Sequence, residues 1–149
     1  MDDERTEVIG EPVRVAVSAL HHATVARGAA LALAREVGLP RIAGAEVATC
    51  VSELATNLAL HSSRGGFINL VRVRRDGRIG VRVIVEDDGP GIEDVERAME
   101  DGFSTAGGLG GGLPGARRMM DEFQIISRVG AGTRIVATKW PPDLRQRRR

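Results

Sequence analysis

Aromatic side chains are scarce in this chain of 149 residues: three Phe, one Trp and no Tyr. Proteins that grip single-stranded nucleic acid stack bases on several exposed rings, so that role is not expected. Surplus charge is missing too. Twenty-one Lys and Arg against twenty Asp and Glu leave a net charge of +1, which supplies no basic footprint for nucleic acid. With a single cysteine, Cys50, there is no internal disulfide framework, which fits a reducing cytoplasm. No apolar run reaches the ~20 residues of a membrane span. The opening Met1-Asp2-Asp3-Glu4-Arg5 does not read as a secretory signal. The expectation is a cytoplasmic domain with neither membrane nor nucleic acid as partner.

Glycine, by contrast, is plentiful, and its excess is local. Of 19 glycines, nine fall between Gly89 and Gly115, which marks one specialised stretch and not general low complexity. Around it the periodicities are clear. Residues 1–11 read as a loose tail, and Val13 to Val17 alternates as a strand. Ser18 is placed to cap a helix from about Leu20 to Val37, which Gly38 and Pro40 stop. A second helix spans Arg41 to His61. Phe67–Arg74 and Ile79–Glu86 read as strands joined through Asp76-Gly77, a hairpin signal. A short helix is expected over 94–100, a loop over 103–112, and a helix over 113–121 with Pro114 in its first turn. Strands at 124–129 and 134–140 close the domain. The segment 141–149 reads as a basic, disordered tail ending Arg147-Arg148-Arg149, whose ordinary fate is solvation. One domain over 12–140 follows, an α+β two-layer sandwich with helices on one face of a mixed, mostly antiparallel sheet.

Three segments carry chemistry. On the second helix Val47, Val51, Leu54 and Leu58 share a stripe, and Glu46, Cys50, Glu53, Asn57 and Leu60 form the stripe beside it. Glu53 and Asn57 lie one turn apart. They read either as a polar pair finishing the core edge or as a proton acceptor beside a hard oxygen ligand for magnesium. Next, the apolar run Val81–Val85 ends in Glu86-Asp87-Asp88-Gly89-Pro90-Gly91-Ile92. That is either a solvated acidic turn or a carboxylate facing the exocyclic amine of adenine; guanine would set an oxygen there and leave the carboxylate unpaired. Last, Gly107-Gly108-Leu109-Gly110-Gly111-Gly112-Leu113-Pro114-Gly115 opens a helix. It is a surface connector or a phosphate-cradling lid of free backbone amides. Within it Gly110-x-Gly112-x-x-Gly115 imitates the dinucleotide fingerprint, but no strand precedes it directly and that reading is rejected. Neither a P-loop nor the motifs of the eukaryotic-type protein kinases are present.

Taken in order, these segments resemble the GHKL superfamily of ATP-binding domains, and within it the anti-sigma-factor-type serine/threonine kinases. Val51-Ser52-Glu53-Leu54-Ala55-Thr56-Asn57 is similar to the family's N box, Asp87-Asp88-Gly89-Pro90-Gly91-Ile92 to its DxGxG box, Gly108-Leu109-Gly110-Gly111-Gly112-Leu113 to its second glycine box, and Gly132-Thr133 to its threonine-bearing turn. Asp101-Gly102-Phe103-Ser104-Thr105 and Leu113-Pro114-Gly115 resemble the narrower group of stressosome switch kinases. The similarity runs over about residues 12–140.

The resemblance implies a GHKL (Bergerat) fold that uses ATP and Mg2+. Glu53 would be the catalytic base and Asn57 the metal-holding residue. Asp87, Gly89, Gly91, Ile92, Gly108, Leu109, Gly110, Gly111, Gly112, Leu113 and Thr133 would complete the nucleotide site, with Asp87 and not Asp88 reading adenine. It further implies phosphorylation of a serine or threonine on a STAS-domain partner in bacterial partner switching, and activation of a partner phosphatase by the released kinase. A nucleotide-gated binding module and a kinase that sequesters a sigma factor stay open as alternatives. His61 reads as a helix cap or a phosphate contact, and Arg117 and Arg118 as surface or phosphate-reaching groups.

Overall fold

The computed structural model describes residues 5–62, 64–87, 112–128 and 132–143. Five strands and three helices are set out along them: β1 (Glu7–Val17), α1 (His22–Glu36), α2 (Arg41–His61), β2 (Gly66–Arg75), β3 (Arg78–Asp87), α3 (Gly112–Met119), β4 (Glu122–Arg128) and β5 (Gly132–Lys139). The helix expected over 94–100 and the loop 103–111 lie outside the described residues.

The sheet has the order β1-β2-β3-β5-β4, and all four of its pairings are antiparallel. The β2–β3 hairpin turns through Asp76 and Gly77 at φ of 51° and 76°, the two left-handed residues that an Asn/Asp-Gly turn of this hand requires. With that turn fixed, register follows residue by residue from Arg75↔Arg78 to Gly66↔Asp87.

Period-two alternation sends Val15, Val17, Ile68, Leu70, Val81, Val83, Val85, Ile135 and Ala137 to one face, all of them buried. The helices cover that face. Val47, Val51, Leu54 and Leu58, the stripe legible in the sequence, are buried in the same core; burial of such side chains contributes roughly 1.5–3 kcal/mol each. On the opposite face Val71, Val73 and Trp140 form a smaller cluster with Ile84.

Two expectations differ from the structure. β1 starts at Glu7 and not at Val13, so the segment expected as a loose tail over 1–11 is a paired strand from Glu7 onward. Its register slips between Ile9 and Val13, where Gly10 takes φ +73°. Pro12 sits in that irregularity, which an edge strand tolerates. At α1, Ser18 does not cap. The helix begins at His22, and the imidazole Nδ1 of His22 accepts the backbone N–H groups of Ser18 and Ala19 at 3.0 and 3.2 Å. A ring nitrogen thus closes the turn that a hydroxyl was expected to close.

Candidate functional site

The sheet's register lines up one row of residues at the end of its strands: Val17 opposite Gly66, Gly66 opposite Asp87, Asp87 opposite Thr133, and Thr133 opposite Ser127. Their parity matches Val15, Ile68, Val85, Ile135 and Ile125, so all five face the helices. The acid that ends β3 and the threonine that starts β5 are therefore neighbours, although 46 positions separate them in the chain. Thr133 Oγ1 lies 2.9 Å from the Ser127 hydroxyl.

Gly66 makes room in this row. A Cβ there would stand 2.3 Å from the Glu86 carbonyl oxygen, 3.0 Å from Leu58 Cδ2 and 3.1 Å from Asp87 Cβ. The side chain of Leu58, near the end of α2, thus packs into the row beside Asp87, and the last turns of α2 lie over the Asp87 end of β3.

α2 starts beside the end of β5 and finishes beside the start of β2. At its start Glu46 Oε1 pairs with Lys139 Nζ at 3.1 Å, near the end of β5. The climb from Glu46 to Asn57 covers about 16 Å of helix. The run from Lys139 back to Thr133 covers about 20 Å of strand. Asn57 and Thr133 therefore come level at the same end of the domain. Between the two ends of the stripe, Cys50 is fully buried and Glu53 is 9% exposed. Burial, followed by the charge of Glu53, pushes the Cys50 thiol up to about 12, so this cysteine is chemically inert near neutral pH. Asn57 is half-buried.

α3 returns toward that end. Lys139 Nζ also donates to the Met119 carbonyl at 3.0 Å, which fixes the C-terminus of α3 beside the first turns of α2. Pro114, Gly115 and Ala116 are buried and Leu113 packs on the core. The helix is about 12 Å long and packs against α2. Arg117 and Arg118 are exposed.

Of the described site residues, the register sets Asp87 beside Thr133, and the last turns of α2, which carry Asn57, lie over the same end; Glu53 is one turn earlier on that helix, and Gly112 and Leu113 open α3, which packs on α2. Gly89, Gly91, Ile92, Gly108, Leu109, Gly110 and Gly111 lie outside the described residues. The donor set suits a magnesium nucleotide. A carboxamide oxygen is a hard ligand for an ion that takes most of its coordination from phosphate and water, and a carboxylate beside a hydroxyl matches an amine next to a ring nitrogen. Sequence reasoning missed Gly66 and Ser127. Gly66 was within reach, because counting back from the Asp76-Gly77 turn puts it opposite Asp87.

A hollow of about 500 Å³ lies at the other end of α2, lined by residues including Pro40, Ile42, Arg78, Trp140 and Pro142. It is remote from Asp87 and Thr133 and holds none of the expected site residues. Among the described residues no helix is long and apolar enough to cross a membrane.

Residues 16–139 match the family model of the histidine kinase-like ATPase domain. Among curated proteins, the chain is 48% identical over 108 residues to the serine/threonine-protein kinase RsbT of Bacillus subtilis, covering 72% of this chain and 80% of that one. It is 37% identical over 101 residues to the anti-sigma F factor of Caldanaerobacter subterraneus, covering 64% and 69%. The fold is that of a solved structure of the RsbU and RsbW domains of a Mycobacterium tuberculosis protein, with a TM-score of 0.58 at 19% identity. That match covers 89% of this chain and spans 34% of the solved one.

Proposed function

The chain belongs to the histidine kinase-like ATPase domain family, and from that premise we propose that it is an ATP-dependent serine/threonine protein kinase of a bacterial partner-switching pathway. Its substrates are STAS-domain proteins, it acts in the cytoplasm, and when released it activates a partner phosphatase. The observation that carries the reading is the pairing of Asp87 with Thr133 across β3 and β5, beneath the last turns of the helix that bears Glu53 and Asn57. The likeness to a named serine/threonine kinase supports the reaction type.

In this reading Asp87 accepts a hydrogen bond from the exocyclic amine of adenine and Thr133 sits at the neighbouring ring nitrogen. Gly89, Gly91 and Ile92 shape the turn around the base. The phosphates are assigned to Gly108 through Leu113, helped by the N-terminal end of α3. Asn57 would lend its carboxamide oxygen to Mg2+, which when bound would draw charge from the phosphate oxygens. The partner's hydroxyl oxygen attacks the γ-phosphorus, the bond to the β-phosphate oxygen breaks, and ADP leaves. Glu53 takes the hydroxyl proton. A carboxylate 9% exposed is held by its helix and shielded from bulk water, which suits a positioned base. The nucleophile comes with the partner, so this chain needs none of its own.

The test is transfer of label from γ-labelled ATP to purified STAS-domain proteins, with Mg2+ present. Labelling of a serine or threonine on at least one of them is the expected result. ATP binding without any transfer across the set would leave a nucleotide-gated binding module as the function instead.

A further inference from the structure

We propose that Ser127 is a specificity-determining, positioning residue for the nucleobase, acting through Thr133; the inference rests on the reading that Thr133 faces adenine. Ser127 and Thr133 are cross-strand partners whose hydroxyl oxygens lie 2.9 Å apart, and either can be the donor. Ser127 Oγ also stands 3.4 Å from the Gly132 carbonyl, which can only accept. Both hydroxyls are partly buried, at the end of the row that continues through Asp87.

A threonine hydroxyl has one proton and two lone pairs. Alone, it serves equally well as donor or acceptor and tells one purine from another poorly. Its partner removes that freedom. The 2.9 Å contact to Thr133 is shorter than the 3.4 Å one to the Gly132 carbonyl, which is near the limit of a useful hydrogen bond. When the Ser127 O–H points to Thr133 Oγ1, the Thr133 proton is turned outward, and a hydrogen-bond chain of this kind strengthens each member. The row then presents an acceptor, the Asp87 carboxylate, beside a donor, the Thr133 O–H. Adenine offers the complement: an amine donor at C6 and an acceptor at N1. Guanine offers the reverse on both counts, an oxygen at C6 and an N–H at N1. Asp87 by itself rejects half of that pattern. Ser127 makes Thr133 reject the other half.

Calorimetry of the full chain with ATP, GTP and 1-deaza-ATP, which lacks the N1 acceptor, tests this on Ser127→Ala, Ser127→Thr, Thr133→Val and the Ser127/Thr133 double variant. Ser127→Ala is expected to weaken ATP about threefold to tenfold, to narrow the ATP-to-GTP ratio, and to leave 1-deaza-ATP unchanged. It should add nothing in the Thr133→Val background, and Ser127→Thr should restore the wild-type ratio. A merely structural serine would lower affinity for all three nucleotides alike, and that result overturns the proposal. So does additive loss in the double variant, or a Ser127→Ala protein that binds ATP normally while Thr133→Val does not. If Thr133→Val binds ATP and GTP as wild type does, the placement of Thr133 at adenine fails, and the role of Ser127 falls with it.

Discussion

The two ends of the sheet are built on opposite principles. At the end away from the site, opposite charges are tied to one another across the sheet, between strands that are not adjacent. Arg75 Nη1 meets Glu122 Oε2 at 2.5 Å while its guanidinium lies over the Trp140 ring. Trp140 Nε1 donates to the same Glu122. Arg82, 5% exposed, donates to Thr138 and stands 4.0 Å from Glu122. Lys139 bridges Glu46, Asp121 and the end of α3. At the site end the row Val17–Gly66–Asp87–Thr133–Ser127 and the α2 positions Glu53 and Asn57 carry no Lys or Arg at all. That row gathers acceptors and hydroxyls on the helix-facing side, while the ion pair of Glu86 with Arg134, at 3.7 Å, lies on the other face of the same end. The far end ties its charges into the fold; in the proposed function the row at the site end offers its acceptors to the donors of a nucleotide. That division lets helices and strands be clamped at a distance from groups that must stay available.

The comparison breaks if substitutions at the two ends act alike. The largest effect is expected from Glu53→Ala. Loss of a positioned base lowers phosphoryl transfer by roughly 10²- to 10⁴-fold, with ATP affinity retained in a binding titration. Asp87→Asn comes next. An amide cannot reproduce a pure acceptor, and loss of a hydrogen bond to a charged group weakens ATP about tenfold or more, measured by calorimetry with Mg2+. Unchanged affinity would separate Asp87 from the base.

Gly66→Ala sharpens the contrast in stability. Its new Cβ meets backbone and the Leu58–Asp87 contact, so about 1–3 kcal/mol of stability is lost and ATP binding falls with it. At Gly77 a Cβ meets nothing within 4 Å, so Gly77→Ala costs only the strain of its positive φ, about 1 kcal/mol, and spares ATP. Thermal melts with and without nucleotide distinguish the two.

The smallest effect belongs to Glu122. Hydrogen bonds from Arg75 above all, then from Trp140, hold its carboxyl below the usual carboxylate range, against the opposing pull of burial. Because the folded value is the lower one, the stabilisation is present above the unfolded value of about 4.3 and is lost as pH falls through the folded value. Glu122→Gln should flatten the acid limb of a pH–stability curve while leaving ATP affinity at neutral pH untouched. A parallel loss of ATP binding would mean that the two ends are coupled.

Much of this could be read along the chain. Helix α2 begins at Arg41 and ends at His61 as its periodicity and flanking Pro40 foretell, because a 21-residue amphipathic run outweighs local noise. The Asp76-Gly77 turn set the register of two whole strands. The start of β1 was hidden, because Gly10 and Pro12 mimic a boundary when they mark only an edge irregularity. The histidine that closes the turn before α1 was hidden too, since a ring nitrogen accepting two amides leaves no compositional trace.

Residue order by itself determined the elements, the core stripe, the hairpin at 76–77 and the presence of an acid, an amide and a glycine run suited to a nucleotide. Those features are local: they depend on side-chain period and on the backbone angles of a few residues. Only the tertiary structure decided that β5 and not β4 lies beside β3. That pairing sets Thr133 opposite Asp87, while the β4–β5 hairpin sets Ser127 opposite Thr133. No local preference encodes it, because a non-sequential strand neighbour is chosen by which apolar faces the whole domain can bury at once.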